Sequence, residues 1–430
     1  MPFQIGVIGM WHLGCVLCAS WTKLGNSVRA FDYDAARIKN LQDGKPPIYE
    51  PHLSESLKSA IEIGLLEFSN DITSLSACDF VFLAYDTPVR DDDSTDTTIV
   101  QKAVDDVKGV MKHGAILIVS SQVPVGFCAR LRETLRGADR SLDVVYSPEN
   151  LRLGEAIDCY LHPGRIILGL ADKHTEDRCR ELFSQIGAQV LSMSFESSEL
   201  VKHAINSYLA SSIVFANNLA DVCEVTGAHV DDVVRGMKSD PRIGSRAYLS
   251  PGIGFSGGTL GRDLKVLDGV NADTGGCARL FGVIHDLNSE RKYAILGKIE
   301  SILGNLAGLS IGVLGVTYKP GTSTLRRSLP LEIVELMVDK GAIVAVYDPK
   351  ADFSELPRDP KFTIASAIEQ AAKNSEMLIL LTEWNDFKEY NWGNVPAVMK
   401  RAIFFDAKNC LDRKKMQHFG FQYYSIGRRQ

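Results

Sequence analysis

The stretch Gly6-Val-Ile-Gly9-Met-Trp-His-Leu-Gly14 decides how this chain is read. It begins inside a short apolar run, Ile5–Ile8, and opens a segment of helical period, Val16–Leu24. A dinucleotide-binding turn asks for one glycine to make the turn, one to admit the pyrophosphate and one to pack helix on sheet. Gly9 and Gly14 fill the first and third places, while Trp11 stands in the second, so the loop alone reads equally as a structural tight turn. Asp32 favours the cofactor reading. It closes the next apolar run, 18 residues after Gly14, where a carboxylate accepts hydrogen bonds from both ribose hydroxyls. An acid there repels a 2′-phosphate, so the expected cofactor is NAD rather than NADP. Gly9, Trp11, His12, Leu13, Gly14 and Asp32 are the candidate contacts, with Trp11 expected to shift the seat of the pyrophosphate without abolishing it.

Working outward, Ile5–Ile8, Val28–Phe31, Phe80–Ala84, Ile116–Val119 and Val144–Tyr146 read as strands buried on both faces. Segments of helical period, such as Ile99–Val110, lie between them. That alternation argues for a parallel sheet with crossover helices. Ile166–Gly169 and Val190–Leu191 extend the sheet, which ends near residue 195. From Glu196 to Ala228 the pattern becomes one long helix, with Leu200, Ile205, Leu209, Ile213, Ala216 and Leu219 at three- and four-residue spacing. A second helical stretch runs from Ala278 to Leu303, and a glycine-rich loop, Ser250–Thr259, lies between the two. Strand runs then return at Ile311–Leu314, Ile343–Val346, Met377–Leu381 and Ile403–Phe405. The expected fold is α/β: two parallel-sheet domains joined by a helical middle, whose long helix is also a place for subunits to pair.

Composition excludes several other classes. At 430 residues the chain exceeds one ordinary core, and 45% hydrophobic residues rule out a disordered chain. Lys and Arg number 47 against 53 Asp and Glu, a net charge of −6 without long like-charge runs, which gives no footprint for nucleic acid. No uncharged stretch of about 18 residues suggests a membrane span. The start, Met1-Pro2-Phe3-Gln4, lacks the positive region of a signal peptide. The nine cysteines are scattered, as expected of reduced thiols in a cytoplasmic protein. Cys15 and Cys18 form a C-x-x-C without a second pair or a His cluster, and read as a packed helix rather than a zinc or redox site.

A series of further segments runs along the chain: Pro47-Ile-Tyr-Glu-Pro51, Asp86-Thr-Pro88, Val123-Pro-Val-Gly126 and Ser147-Pro-Glu-Asn-Leu-Arg152. Glu199-Leu-Val-Lys202-His-Ala-Ile-Asn206, the Gly254–Asp263 loop and Gly315-Val-Thr-Tyr-Lys319-Pro-Gly-Thr322 follow. Arg326, Tyr347-Asp-Pro349, Thr382-Glu-Trp384 and Ile426-Gly-Arg428 end it. In number and order these resemble the UDP-glucose/GDP-mannose dehydrogenase family over nearly the whole length. The resemblance implies a Rossmann-like NAD domain over 1–195, a central helical, 6-phosphogluconate-dehydrogenase-like dimerisation domain over 196–305, and an α/β nucleotide-sugar domain over 306–430. It implies a homodimer or higher homo-oligomer acting on nucleotide-diphosphate sugars in polysaccharide precursor synthesis. Family members oxidise a sugar C6 alcohol to a carboxylate in two NAD-dependent steps.

Removing a hydride from an alcohol carbon requires the hydroxyl to lose its proton and the developing charge on oxygen to be stabilised. Lys202 and Asn206 are one helical turn apart and face the same way. They match the family's lysine and asparagine that stabilise the reacting oxygen, and Asp263 matches the aspartate that holds a water for proton transfer. Read without the family, Lys202 would be a solvated helix residue and Asp263 a charge near a helix start.

The second half-reaction is where the sequence departs. The family's thiol nucleophile lies four residues before that aspartate, and here Thr259 holds the place, in Ser256-Gly-Gly-Thr259. A thiol of pKa about 8.5 is partly ionised near neutrality, whereas a hydroxyl needs a dedicated base. The family's water-side threonine before Val-Pro-Val is Gln122 here, while Glu149, its acid for the hydrolytic step, is retained. Cys277 is the nearest other thiol in sequence, in a different segment. The expectation is a two-electron oxidation or a redox-neutral epimerisation. The full four-electron 6-dehydrogenase and a catalytically silent nucleotide-sugar or NAD-binding protein are the alternatives.

For the substrate, the resemblance points to Leu151, Arg152, Phe255, Gly257 and Lys319, and for the cofactor also to Thr87, Gln122 and Arg326. The family's arginine in an Asp-Gly-Arg-Asn run is Lys408 here, which loses a fork of donors. Arg242 matches an arginine that reaches the neighbouring subunit's substrate, in a segment one residue longer than the family's. No metal site is expected.

Overall fold

Ile5, Val7 and Ile8 are completely buried, as are Val81, Leu83, Ile116, Leu117, Ile118 and Val119, so these runs have apolar cover on both faces. The structure, a computed structural model, describes residues 2–87, 96–136, 142–148, 151–273 and 279–428. Its first sheet comprises β1 (Gln4–Ile8), β2 (Ser27–Phe31), β3 (Leu66–Ser69), β4 (Phe80–Leu83), β5 (Ile116–Val119), β6 (Asp143–Tyr146), β7 (Ile166–Gly169) and β8 (Val190–Met193). Their spatial order is β3-β2-β1-β4-β5-β6-β7-β8.

The order reverses between β1 and β4, and the crevice beyond the carboxyl ends at such a reversal is where open α/β sheets bind ligands. Every pairing is parallel except that of β6 with β7, which meet antiparallel through Tyr146 and Gly169. The expectation of a wholly parallel sheet is corrected at this joint. Among the described residues the connection there carries the six-residue helix Ala156–Leu161 alone, and it brings the chain back against β6. β3 escaped the sequence reading because four residues alternating buried Leu66 and Phe68 with exposed Glu67 look like an edge, not a core run.

The second sheet has β9 (Ser310–Leu314), β10 (Ile343–Tyr347), β11 (Thr363–Ile364), β12 (Met377–Leu380), β13 (Ile403–Asp406) and β14 (Gln422–Ser425). All are parallel, in the order β11-β10-β9-β12-β13-β14, with the reversal between β9 and β12. Between the two sheets in chain order come the helices Phe195–Thr226, Val230–Ser239, Thr259–Asp273 and Leu280–Leu303. The chain divides into two compact units, Met1–Ala204 and Ile205–Gln430, so the division falls within the longest helix. In the second unit Ala220, Cys223, Ile295 and Ile299 from the long helices share one core with Ile311, Val313 and Ile379 of the sheet. Among the described residues no helix is long and apolar enough to cross a membrane.

Candidate active site

In the first unit the chain leaves β1 at Gly9, whose φ is +95°. Its N–H donates to the Phe31 carbonyl at 2.9 Å, and a Cβ there would stand 2.9 Å from the Tyr85 amide nitrogen. Gly14 is more constrained still, since a Cβ would lie 1.9 Å from the Gly9 carbonyl oxygen. Trp11 adopts φ −92° and ψ −154°, extended backbone open to any residue, so the middle place forms its turn without glycine. Its ring is partly exposed and lies 5.4 Å from the Arg37 guanidinium. His12 and Leu13 begin the helix His12–Lys23, whose first turn holds no acid, so its free N–H groups suit an anionic group.

Asp32, just past β2, is buried, and its carboxylate accepts from the Met10 N–H at 2.7 Å, the Asp34 N–H at 3.0 Å and Arg37 Nη1 at 2.9 Å. It therefore ties the glycine turn to the strand end where a ribose would sit. A cradle with no room for side chains at Gly9 and Gly14, an open helix start and a buried carboxylate together fit NAD. Arg37 was not singled out from sequence; only folding brings it beside both Trp11 and Asp32. Thr87, past β4, donates from its hydroxyl to the Gln122 carbonyl at 2.9 Å, joining two loops on the same sheet edge.

Glu50, in the Pro47–Pro51 segment, links the glycine loop to the segment of the substrate candidates. Its buried carboxylate meets His12 Nε2 at 2.9 Å and accepts from the N–H groups of Gly154 and Ala156, each at 2.9 Å. Leu151 packs against the core of this unit, while Arg152 is largely exposed, 3.8 Å from Glu155. Glu149 lies outside the described residues. The helix Phe195–Thr226 is fastened at its start by Glu199, whose fully buried carboxylate accepts from the N–H groups of Gly126 and Cys128, at 2.5 and 2.8 Å. Burial pushes the Glu199 carboxyl above its ordinary pKa. His203 meets the Val123 carbonyl at 3.2 Å. Between these two anchors half-buried Lys202 has a fixed position relative to the segment that follows Gln122.

In the second unit Asn206, four residues on along the same helix, donates from Nδ2 to Asp263 Oδ2 at 2.5 Å. Asp263 is fully buried within the helix Thr259–Asp273, with Arg262 Nε 3.5 Å from its other oxygen. It is not a solvated charge. Thr259, the first residue of that helix, is exposed. Phe255 packs partly buried against Ala210, Val214, Leu264 and Ile284. Gly257 has φ +79° and lies so near the Tyr318 ring that a Cβ would meet it at 3.2 Å.

Lys319 sits on the loop after β9, its amine 5.6 Å from the Tyr318 ring, and partial burial lowers its pKa. Arg326 is exposed further along the same loop. Lys408 follows β13, where Asp406 turns the chain by accepting from the N–H groups of Lys408, Cys410 and Leu411, each at 2.9 Å. Its amine pairs with Glu383 at 2.9 Å and would lie 4.0 Å from a Cβ on Gly252. Lys319 and Lys408 thus stand beyond the carboxyl ends of central strands of the second sheet. Arg242 is almost fully exposed and held by both oxygens of Asp240.

The thiols narrow the chemistry. Burial pushes Cys15 and Cys179 up to about 12 and Cys78 to about 11, and raises Cys18, Cys128, Cys223 and Cys410 as well. Such thiols are packing residues rather than nucleophiles. Cys15 and Cys18 are free and buried along their helix, and no metal-binding cluster occurs among the described residues. Cys277 lies outside the described residues.

Comparison with known proteins gives the family. Three models of the UDP-glucose/GDP-mannose dehydrogenase family match in order: the NAD binding domain over residues 3–187, the central domain over 196–290 and the UDP binding domain over 312–413. The UDP-glucose 6-dehydrogenase of Rickettsia prowazekii (strain Madrid E) is 34% identical over 99% of each chain. That of Rhizobium meliloti (strain 1021) is 32% identical over 99% of each. The solved UDP-glucose dehydrogenase from Pyrobaculum islandicum is 26% identical with a TM-score of 0.88, covering 100% of this chain and 98% of that one. With its cofactor turn, central helices and second sheet each matched in sequence order, the chain belongs to the UDP-glucose/GDP-mannose dehydrogenase family and is an NAD-dependent oxidoreductase.

Proposed function

We propose that this enzyme removes two electrons from an alcohol carbon of a nucleotide-diphosphate sugar and stops at an aldehyde or ketone, or returns the hydride in a redox-neutral epimerisation. The observation that carries this reading is the hydrogen bond from Asn206 to buried Asp263, with the hydroxyl of Thr259 instead of a thiol four residues before Asp263. Bound NAD supplies the hydride acceptor, held by Gly9, Gly14 and Asp32. Lys202 and Asn206, one turn apart on their helix, stabilise the negative charge that grows on the sugar oxygen. Asp263 receives the proton through a water and is kept in place by Asn206. Gln122 and Thr259 leave the acyl-transfer half without an activated nucleophile, because a hydroxyl is almost fully protonated at neutral pH. Lys319 and Lys408 give the diphosphate cationic partners at the second sheet.

The matching UDP binding domain favours a uridine nucleotide. A second reading, the four-electron 6-dehydrogenase, is favoured by the names of the relatives, UDP-glucose 6-dehydrogenases at 29–34% identity across the chain. One measurement separates the two: NADH formed per sugar consumed, with the product mass, over a panel of UDP-sugars beginning with UDP-glucose. We expect at most one NADH per sugar, and none for an epimerase. Two NADH with a carboxylate product would establish the second reading instead.

A further inference from the structure

The loop from Gly252 to Thr259 contains Gly252, Gly254, Gly257 and Gly258, and so has ample intrinsic backbone freedom. It is nevertheless pinned, and by side chains. Asn217, on the helix Phe195–Thr226, accepts the Gly252 N–H at 2.7 Å. Arg291, on the helix Leu280–Leu303, donates from Nε to the Gly252 carbonyl at 3.2 Å and is paired by Asp221. Asn288, one turn before Arg291, grips both sides of Phe255: its Oδ1 accepts the Phe255 N–H at 2.8 Å and its Nδ2 donates to the Phe255 carbonyl at 3.0 Å.

All three side chains are more than nine-tenths buried, at 3%, 6% and 8% exposure. Gly254, at φ +110°, makes room for the grip, since a Cβ there would stand 2.7 Å from Asn288 Oδ1. Burying two amides and a guanidinium is costly unless their hydrogen bonds are used. Here both amides and Arg291 Nε bond the peptide groups of Gly252 and Phe255, a few residues before Gly257, Thr259 and Asp263, while Arg291 Nη1 meets Asp221.

We propose that Asn217, Asn288 and Arg291 are positioning residues that set the path of the Gly252–Thr259 loop, and with it the placement of Thr259 and Asp263. The role in catalysis rests on the functional reading above; the grip on the loop does not. Hydride transfer tolerates little displacement, and a misplacement of about 1 Å costs on the order of a hundredfold in rate. An unpinned glycine-rich loop samples displacements of that size.

The test uses the full chain with Asn288→Ala and, as a milder second variant, Asn217→Ala. Asn218→Ala is the control, because Asn218 donates from Nδ2 to the Val214 carbonyl of its own helix at 2.8 Å and not to the loop. Amide hydrogen exchange over the fragment 250–258 is expected to speed up at least tenfold in both loop variants and to stay unchanged in the control. Turnover on the best UDP-sugar of the panel is expected to fall ten- to a hundredfold, with NAD affinity unchanged. Unaltered exchange in both loop variants would overturn the grip. Faster exchange with normal turnover would overturn the positioning role. A wild-type chain inactive on every UDP-sugar would count against the functional reading, and the exchange data would still decide the grip.

Discussion

The Asp32 carboxylate accepts three hydrogen bonds in the protein itself, from Met10, Asp34 and Arg37, so its loss acts twice: a ribose partner disappears and the glycine turn loses its tie to β2. Asp32→Ala is expected to weaken NAD by about 1–3 kcal/mol, the worth of hydrogen bonds to a charged group. Titration of NAD and NADP against both proteins checks this. Unchanged NAD affinity would remove Asp32 from the ribose site. NADP affinity should fall less, because Arg37 beside Asp32 offers a cation to a 2′-phosphate once the carboxylate is gone. The glycine positions and Asp32 were legible in sequence because their roles are set within a few residues by backbone sterics and strand length. Arg37 and Glu50 were not, since what makes them matter is the partner each meets only in the folded chain.

At the scale of elements, the helix Lys173–Phe183 is fastened to β8 through Glu176. Its carboxyl is held down at about 2 by the Ser192 hydroxyl and then by Arg180. Because the folded pKa is below the ordinary 4.5, the stabilisation is fully present above pH 4.5 and is lost as the pH falls toward 2. Glu176→Gln should therefore lower stability near neutrality by about 0.2–1 kcal/mol, the range of surface ion pairs. The gap from wild type should close through the same acid window. Denaturant melts at pH 7, 4 and 2.5 measure it, and a gap independent of pH would mean that the carboxylate charge contributes nothing. Glu199 behaves oppositely: its carboxyl is raised by burial, so deprotonating it costs stability as the pH rises.

For the molecule as a whole, Tyr208, Phe215 and Val222 lie seven residues apart on the longest helix and are 69%, 50% and 56% exposed. Val225 on that helix, and Leu280, Val283 and Tyr293 on the helix Leu280–Leu303, are exposed as well. Apolar side chains repeating on one helix face suit pairing with another helix. A homodimer or larger homo-oligomer is the proposed state, and Phe215→Glu is expected to shift it toward monomer in sedimentation equilibrium. An unchanged mass would place the subunit contact elsewhere.

The sequence by itself determined the two sheets, because strands covered on both faces must be continuously apolar, as in Phe80–Leu83 and Ile116–Val119. It also determined the cofactor turn, a local matter of φ and steric room at Gly9 and Gly14. The edge strands β3, β11 and β14 left no such mark, being short and partly exposed, and the antiparallel joint at Tyr146 and Gly169 left none either. Only the tertiary structure decided what Asn217, Asn288, Arg291 and Glu199 do. Their partners lie 33 to 73 positions away, and a polar side chain reveals its use only when folding has removed it from water and brought distant peptide groups within reach.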